Sequence, residues 1–234
     1  MNRLLFAPYY WLFLLLFLPA CAGPYSAARL SSKKAFTILG LGDSITEGGP
    51  GFDSYLFPLD SMLQAAGYQF TFIGPRQTTR NNKTLHHAGF SGKTAEYLAK
   101  QIDSIYMAYP ADIVLLHSGH NHFVEEQPIK GIIAAQNKIM DVVTRKNPAA
   151  IILVASVITS GKLPKYEYIP ELNKAIAAMV KSRNNPKIRL INQQKNWDWT
   201  TYTISDKVHP NANGASHIAK NWFADIKKIM HEYE

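Results

Sequence analysis

The chain has 234 residues, a formal net charge of +8 and 47% hydrophobic residues. This length suits one domain with a full core, and the composition excludes a collagen-like chain, a coiled coil or extended disorder. Lysine and arginine occur in runs no longer than two, which argues against a nucleic-acid-binding protein. The positive charge favours anionic surroundings such as phospholipid or acidic polysaccharide.

The first residues differ from the rest of the chain. Arg3 is the only charged residue before an apolar run at 12–18, and small residues follow, as in a signal peptide. A spanning helix needs about 20 apolar residues, and this run is too short. We therefore predict a signal peptide at 1–22, a small and polar tether at 23–34, and a single domain at 35–234.

Cys21 is the only cysteine, so an intrachain disulfide is excluded. The segment Leu18-Pro19-Ala20-Cys21 resembles a bacterial lipobox, in which the cysteine is lipidated and becomes the mature N-terminus. Ordinary cleavage after Ala22, which discards Cys21, is the alternative. Both readings predict an exported protein: lipidated Cys21 would attach it to a membrane of the bacterial cell envelope, as a periplasmic or outer-membrane lipoprotein, and ordinary cleavage would leave it periplasmic or secreted.

Beyond the tether, short β-rich segments alternate with longer segments of helical periodicity. The predicted strands are 35–41, 70–73, 113–117, 151–157 and 188–191, and the predicted helices are 57–66, 94–108, 129–146, 169–183 and 214–233. This alternation implies right-handed crossovers and a parallel sheet covered on both faces. Two of the strands lack polar alternation, as strands buried on both faces should. We predict a three-layer α/β/α sandwich with a five-stranded parallel sheet.

Ligands of such sheets bind beyond the carboxyl ends of the strands. Four turns in the predicted topology carry chemically useful side chains: 42–44, 87–89, 119–122 and 205–210. The first contains Gly42-Asp43-Ser44, which places a serine hydroxyl on a tight turn after a buried strand. The alternative is a serine that only caps a helix. The pattern is not the Gly-x-Ser-x-Gly elbow of the α/β-hydrolases.

A nucleophilic serine needs a base, and the last of these turns offers one. Asp206 and His209 are three residues apart, so one short loop can hold both. The carboxylate could fix the tautomer of the imidazole, whose other nitrogen would face Ser44. A surface loop with a helix-capping aspartate is the alternative.

Acyl transfer also requires hydrogen-bond donors for the developing oxyanion. The candidates are the backbone N–H groups of Ser44 and Gly89 and the side-chain amide of Asn121. A chain reversal at Gly89 and a turn residue at Asn121 are the structural alternatives.

In this order, Gly42-Asp43-Ser44, Gly89, Gly119-x-Asn121 and Asp206-x-x-His209 resemble blocks I, II, III and V of the SGNH/GDSL hydrolase family. The resemblance covers residues 36–231 and implies a flavodoxin-like fold. It also implies the catalytic triad Ser44, His209 and Asp206, and the oxyanion hole of Ser44, Gly89 and Asn121.

Three further stretches, at 54–74, 87–94 and 208–214, resemble the carbohydrate acetyl esterases of family three within this superfamily. The resemblance implies a serine esterase that removes O-acetyl groups from carbohydrate. We also expect it to act without a cofactor and as a monomer, with an acetylated carbohydrate or another small acyl ester as its substrate. Two alternatives remain: a lysophospholipase or short-chain acyl esterase, and a degenerate hydrolase that only binds acetylated glycan.

One residue departs from the family pattern. The family usually has Gly-Thr-Asn-Asp in block III, where this chain has Gly119-His120-Asn121-His122. His122 could hold the Asn121 loop, contact substrate, or mark a weakened enzyme. Three histidines at this spacing could also bind zinc, but no clustered aspartate or cysteine completes a ligand shell. We therefore predict no metal site, with His117 beneath the sheet and the other two histidines in the cleft.

Four residues are candidates for substrate contact: Asp43, His122, Trp197 and Trp199. Aromatic rings stack on the flat faces of sugars, and tryptophan adds a polar edge. The two tryptophans lie shortly before the Asp206–His209 turn, so they could form one wall of the cleft. Ordinary core packing is the alternative for each ring.

Overall fold

The computed structural model describes residues 35–232, which lie in one compact unit. Its strands are β1 (Phe36–Gly42), β2 (Phe70–Ile73), β3 (Arg76–Arg80), β4 (Lys83–Gly89), β5 (Ile113–His117), β6 (Ile151–Ala155) and β7 (Ile188–Ile191). Its helices are α1 (Ser44–Glu47), α2 (Leu56–Ala65), α3 (Ala95–Ala108), α4 (Ile129–Lys146), α5 (Ile169–Ser182), α6 (Trp199–Tyr202) and α7 (Ala212–Glu232), with a 3-10 turn at Val124–Glu126.

Five parallel strands lie in the order β2-β1-β5-β6-β7. Successive residues of β5 and β6 alternate between two separate hydrophobic clusters. One cluster contains α3, α4 and α5, and the other contains α2 and α7. Both faces of these strands are therefore buried, which explains their continuous apolar sequence. The predicted flavodoxin-like three-layer sandwich is confirmed, and the five long helices match the predictions to within two residues at each end.

An antiparallel hairpin of β3 and β4 was not predicted. Its turn consists of Asn81 and Asn82, with φ of +46° and +61°, the conformation that suits a two-residue hairpin turn. β1 pairs with β2 along residues 36–39 and then with β4 at Leu41 and Gly42. The sheet therefore has seven strands rather than five. The sequence of β3, Arg-Gln-Thr-Thr-Arg, has no buried position, so it lacks the hydrophobic signal on which strand prediction depends.

In the described part of the chain, no helix is long and apolar enough to cross a membrane. The predicted signal peptide, the tether and Cys21 lie outside the described residues.

Candidate active site

Ser44 begins α1, and Asp43 is the single residue between β1 and this helix. The Asp43 side chain caps this short helix by accepting a hydrogen bond of 3.0 Å from the Ile45 N–H. A Cβ at Gly42 would lie 2.3 Å from Thr46 Oγ1 and 2.4 Å from the His117 carbonyl oxygen, so only glycine allows this close approach of β1, α1 and β5. As the first helical residue, Ser44 keeps a backbone N–H that has no intrahelical partner.

The Ser44 hydroxyl, the His209 imidazole and the Asp206 carboxylate form a continuous hydrogen-bonded chain. Ser44 Oγ lies 2.9 Å from His209 Nε2, and His209 Nδ1 lies 2.5 Å from Asp206 Oδ2. An ionised carboxylate only accepts hydrogen bonds, so Nδ1 carries the proton and Nε2 is left to accept from the serine hydroxyl. The structure therefore unites the three residues predicted as a triad, which are separated by up to 165 positions.

Two backbone hydrogen bonds fix the Asp206 side chain within its loop. Its Oδ1 accepts from the N–H groups of Val208 at 2.9 Å and His209 at 3.0 Å. Lys207 between them adopts a left-handed conformation with φ of +62°, which folds the loop back onto the carboxylate. Partial burial opposes ionisation, but the hydrogen bonds from His209 and the two N–H groups outweigh it and lower the pKa of Asp206. The carboxylate is thus kept charged to face the imidazole.

The loop after β6 supports this arrangement from outside. The Lys207 carbonyl accepts hydrogen bonds from the Ser160 hydroxyl at 2.7 Å and from the Gly161 N–H at 2.9 Å. The Ile204 N–H also donates to the His209 carbonyl at 2.9 Å. The Asp206–His209 turn is therefore held through two of its own carbonyl oxygens, that of Lys207 by the loop after β6 and that of His209 by Ile204.

The predicted oxyanion donors stand at the carboxyl ends of adjacent strands. Gly89 pairs in register with Gly42, and a Cβ there would lie 2.5 Å from the Glu47 nitrogen. The Gly89 N–H donates to His87 Nδ1 at 3.0 Å. The Asn121 amide donates to the Lys93 carbonyl at 3.0 Å, which uses one of its two N–H bonds. Asn121 and Ser44 therefore have a donor to spare, whereas the Gly89 N–H must exchange its partner to hold an oxyanion.

The His87 ring joins Gly89 to the hairpin. Burial lowers the pKa of His87 to about 4, so the ring is neutral. Nδ1 accepts from Gly89, and Nε2 consequently donates to Thr78 Oγ1 at 2.9 Å. The Thr78 hydroxyl in turn donates to the Glu47 carbonyl at 2.8 Å. This series of bonds fastens β3 and β4 to α1 beside Ser44.

His122 is held by two carboxylates. Its Nδ1 lies 2.7 Å from Glu126 Oε2 and its Nε2 lies 3.0 Å from Glu96 Oε2. The His122 side chain is only 11% exposed. This geometry is at odds with the predicted substrate contact, because both ring nitrogens are engaged within the protein. Of the roles considered for His122, the structure favours holding the Asn121 loop, here to α3 through Glu96.

The prediction that Asp43 contacts substrate is also at odds with the structure. It is fully buried, since it caps α1 from beneath, and its Oδ2 lies 3.7 Å from His120 Nδ1. His120 Nε2 lies 3.1 Å from the Ile158 carbonyl, to which it donates. Burial opposes ionisation of Asp43, but His120, His117 and the Ile45 N–H outweigh it and lower its pKa. Asp43 therefore supports the nucleophile turn and does not reach substrate.

The three block III histidines do not share one site. His117 and His120 are both buried, with ring centroids 6.0 Å apart. His122 is buried as well, so the structure does not support the prediction that His120 and His122 line the cleft. Within residues 35–232, no group of three or more histidine, cysteine or acidic side chains is arranged to hold a metal ion.

The two candidate tryptophans lie in different surroundings. Trp197 donates from its indole nitrogen to the Thr159 carbonyl at 2.9 Å and packs against Tyr202 and His217. Trp199 is half-buried and covers Gly161, where a Cβ would lie 2.4 Å from the indole ring. Both rings thus have packing partners, and Trp199 lies beside the Gly161 contact that supports the Asp206–His209 turn.

Residues 41–216 match the model of the GDSL-like lipase/acylhydrolase family. The chain belongs to this family. It is 28% identical over 243 residues to a multidomain esterase of Ruminococcus flavefaciens, a match covering 88% of this chain but 30% of that protein.

Two solved structures share its fold. A family 3 carbohydrate esterase of Clostridium thermocellum has a TM-score of 0.75 and 24% identity, over 85% of this chain and 98% of that chain. A carbohydrate esterase family 3 protein of Talaromyces cellulolyticus also has a TM-score of 0.75, with 20% identity, over 85% of this chain and 100% of that chain.

Proposed function

We propose that this protein is a serine esterase that removes O-acetyl groups from carbohydrate through an acyl-enzyme. The observation that carries the proposal is the hydrogen-bonded chain from Ser44 through His209 to Asp206, the arrangement that activates a serine for acyl transfer. Support for a carbohydrate substrate comes from the resemblance to family-three acetyl esterases and from the two carbohydrate esterases that share the fold.

In the first half of the proposed reaction, Ser44 Oγ attacks the acetyl carbonyl while His209 Nε2 takes the hydroxyl proton. Asp206 balances the charge of the resulting imidazolium. The Ser44 N–H, the Asn121 amide and, after releasing His87, the Gly89 N–H hold the oxyanion. The C–O bond to the sugar then breaks, and His209 returns the proton to the departing sugar oxygen.

The second half repeats these steps with water. His209 takes a proton from water as the water oxygen attacks the acetyl-serine, and a second tetrahedral intermediate forms in the same oxyanion hole. The bond to Ser44 Oγ breaks, the proton goes back to that oxygen, and acetate leaves. Every proton moves through His209, so no cofactor is needed.

Acetate release from a panel of acetylated glycans and from 4-nitrophenyl acetate tests this proposal. Ser44→Ala should lower turnover at least about 10³-fold, because the nucleophile is lost while the oxyanion donors remain. Ser61→Ala is a matched control, since Ser61 is exposed on α2 and bonds only to its own helix. Retained turnover in Ser44→Ala would refute the assignment.

Two further measurements separate the alternatives. A series of acyl chain lengths should peak at acetyl, and a peak at long chains would favour a lysophospholipase. A fluorophosphonate probe should label wild type at Ser44, because labelling requires an activated serine. Absence of labelling would favour a protein that only binds acetylated glycan.

We also propose export to the bacterial envelope with lipidation of Cys21, on the strength of the lipobox-like segment alone. Intact-mass analysis of membrane-extracted protein should find an acylated chain that begins at Cys21. A soluble product beginning near Gly23 would contradict lipidation and leave export in place.

A further inference from the structure

The ring of Phe52 lies flat against the ring of His209. Their centroids are 4.1 Å apart and their planes differ by 22°. Phe52 belongs to the loop between α1 and α2, and it is only half-buried. It is a member of neither hydrophobic cluster of the core, so core packing does not account for its position.

The Phe52 loop is held in place by Arg80 at the end of β3. Its Nη2 donates to the carbonyl oxygens of Gly49 at 2.5 Å and Phe52 at 2.7 Å, and its Nε pairs with Asp53 Oδ1 at 3.0 Å. The loop closes on itself through a two-way bridge between Gly49 and Phe52. One guanidinium therefore ties both ends of this bridge to the hairpin.

The hairpin has its own attachment to the active site. Thr78, two residues before Arg80, donates to the Glu47 carbonyl at the end of α1. Ser44 and Phe52 are thus both attached to β3. Ser44 is attached through α1 and Thr78, and Phe52 is attached through Arg80. The Ser44 hydroxyl and the Phe52 ring both contact His209. Because both are attached to one strand, that strand sets the distance between them.

We propose that Phe52 is a positioning residue for His209, and that Arg80 sets Phe52 for this task; the inference rests on the function proposed above. The terminal torsion of histidine is broad, and Asp206 holds the ring only at Nδ1. A stacked ring on one face confines the imidazole to the plane in which Nε2 meets Ser44. When the imidazolium forms, the negative face of the phenyl ring also attracts its charge.

Matched substitutions at position 52 test the stacking. Phe52→Leu keeps an apolar side chain but removes the ring, and it should lower kcat about threefold to tenfold with KM unchanged, as for an aromatic contact made to the charged imidazole. Phe52→Tyr keeps the ring and should retain wild-type kcat. Wild-type kcat in Phe52→Leu, or an equal loss in both variants, would overturn the proposal.

A spectroscopic readout distinguishes stacking from a general effect on folding. The carbon-bound ring protons of His209 should show an upfield ring-current shift in the NMR spectrum of wild type and of Phe52→Tyr. The shift should disappear in Phe52→Leu. Unchanged His209 resonances in Phe52→Leu would contradict the stacked geometry whatever the kinetics show.

A double-mutant cycle tests the part assigned to Arg80. Arg80→Ala should lower kcat to the same degree as Phe52→Leu, and the double variant should lose no more than either single one, because both act through one ring. Additive losses would overturn this part. Arg145→Ala is the control, since Arg145 is exposed on α4 and pairs with Asp103.

Two precautions keep the outcomes separate. If Arg80→Ala does not fold, Asp53→Asn removes only the ion pair, keeps both carbonyl contacts and should cause a smaller loss of the same kind. Ser44→Ala is assayed beside every variant. If it matches wild type, the proposed function fails; if it is inactive while Phe52→Leu equals wild type, only the positioning role fails.

Discussion

The loops that carry His209 and His122 place the same side chain in opposite electrostatic settings. His209 has a carboxylate at Nδ1 and a hydroxyl at Nε2, so a neutral ring satisfies both contacts and keeps a lone pair for the serine proton. His122 has a carboxylate at each nitrogen, so only a doubly protonated ring can donate to both. The first histidine is built as a base and the second as a clamp between two carboxylates, and the difference lies entirely in their neighbours.

The clamp also affects its partners. The hydrogen bond from His122 lowers the pKa of the Glu126 carboxyl. His122 thereby links the carboxylates of Glu96 and Glu126 through one ring. An aspartate at position 122, the residue usual in the family, could not do so beside Glu96 and Glu126.

The largest effect is expected from changing the neighbour of His209. Asp206→Asn replaces an acceptor with a group that can donate, which favours the wrong imidazole tautomer. Turnover should fall by roughly 10³- to 10⁴-fold, measured as kcat for 4-nitrophenyl acetate. Asp198→Asn is the control, because asparagine can still cap α6 as Asp198 does. If the turnover of Asp206→Asn stays within about tenfold of wild type, His209 does not depend on its carboxylate. The proposed difference between His209 and His122 would then be wrong.

A smaller effect is expected from restoring the family residue at position 122. His122→Asp places three carboxylates together, which should loosen the Asn121 loop and lower kcat about tenfold, the loss of part of one oxyanion donor. His122→Asp combined with Glu126→Gln should recover part of the activity, since one of the repelling charges is gone. A His122→Asp variant more active than wild type would show that the clamp impairs the enzyme.

The sequence predicted the catalytic residues of the site but not the residues that surround them. Ser44, Asp206 and His209 were predictable because each sits in a local pattern at the end of a strand or in a short loop. Arg80 and Phe52 were not paired, because they are 28 residues apart and meet only through a hairpin with a polar first strand. The buried position of Asp43 was also missed. A sequence that favours a turn and a helix cap does not reveal which side of the turn faces solvent.

Glu96 shows the same limitation. It lies 26 residues from His122, on the polar side of an amphipathic helix where a solvated charge is the usual expectation. Glu126 is four residues from His122, a spacing that could have suggested a pair had a helix been expected there. Which residue pairs with a charged side chain depends on the tertiary structure. The motif around Asn121 contains His122 but neither of its two carboxylate partners.

A third histidine, His117, extends the comparison to a ring without a hydrogen-bond partner. Among the described residues, His117 has no hydrogen bond at either ring nitrogen, and burial lowers its pKa to about 4 from 6.5. The unfolded chain therefore binds one more proton than the folded chain between these values. Stability attributable to His117 is complete above pH 6.5 and is lost as the pH falls towards 4, by about 1.4 kcal/mol per pH unit.

Urea unfolding at pH 7, 6 and 5 measures this slope. His117→Leu removes the titrating ring, so the free energy of unfolding should depend less steeply on pH, by about one proton, whatever the absolute stability of the variant. Ser61→Ala, an exposed substitution that changes no titrating group, supplies the control and should keep the wild-type slope. An unchanged slope in His117→Leu would mean that His117 has a partner that keeps it protonated, and the contrast among the three histidines would reduce to that between His209 and His122.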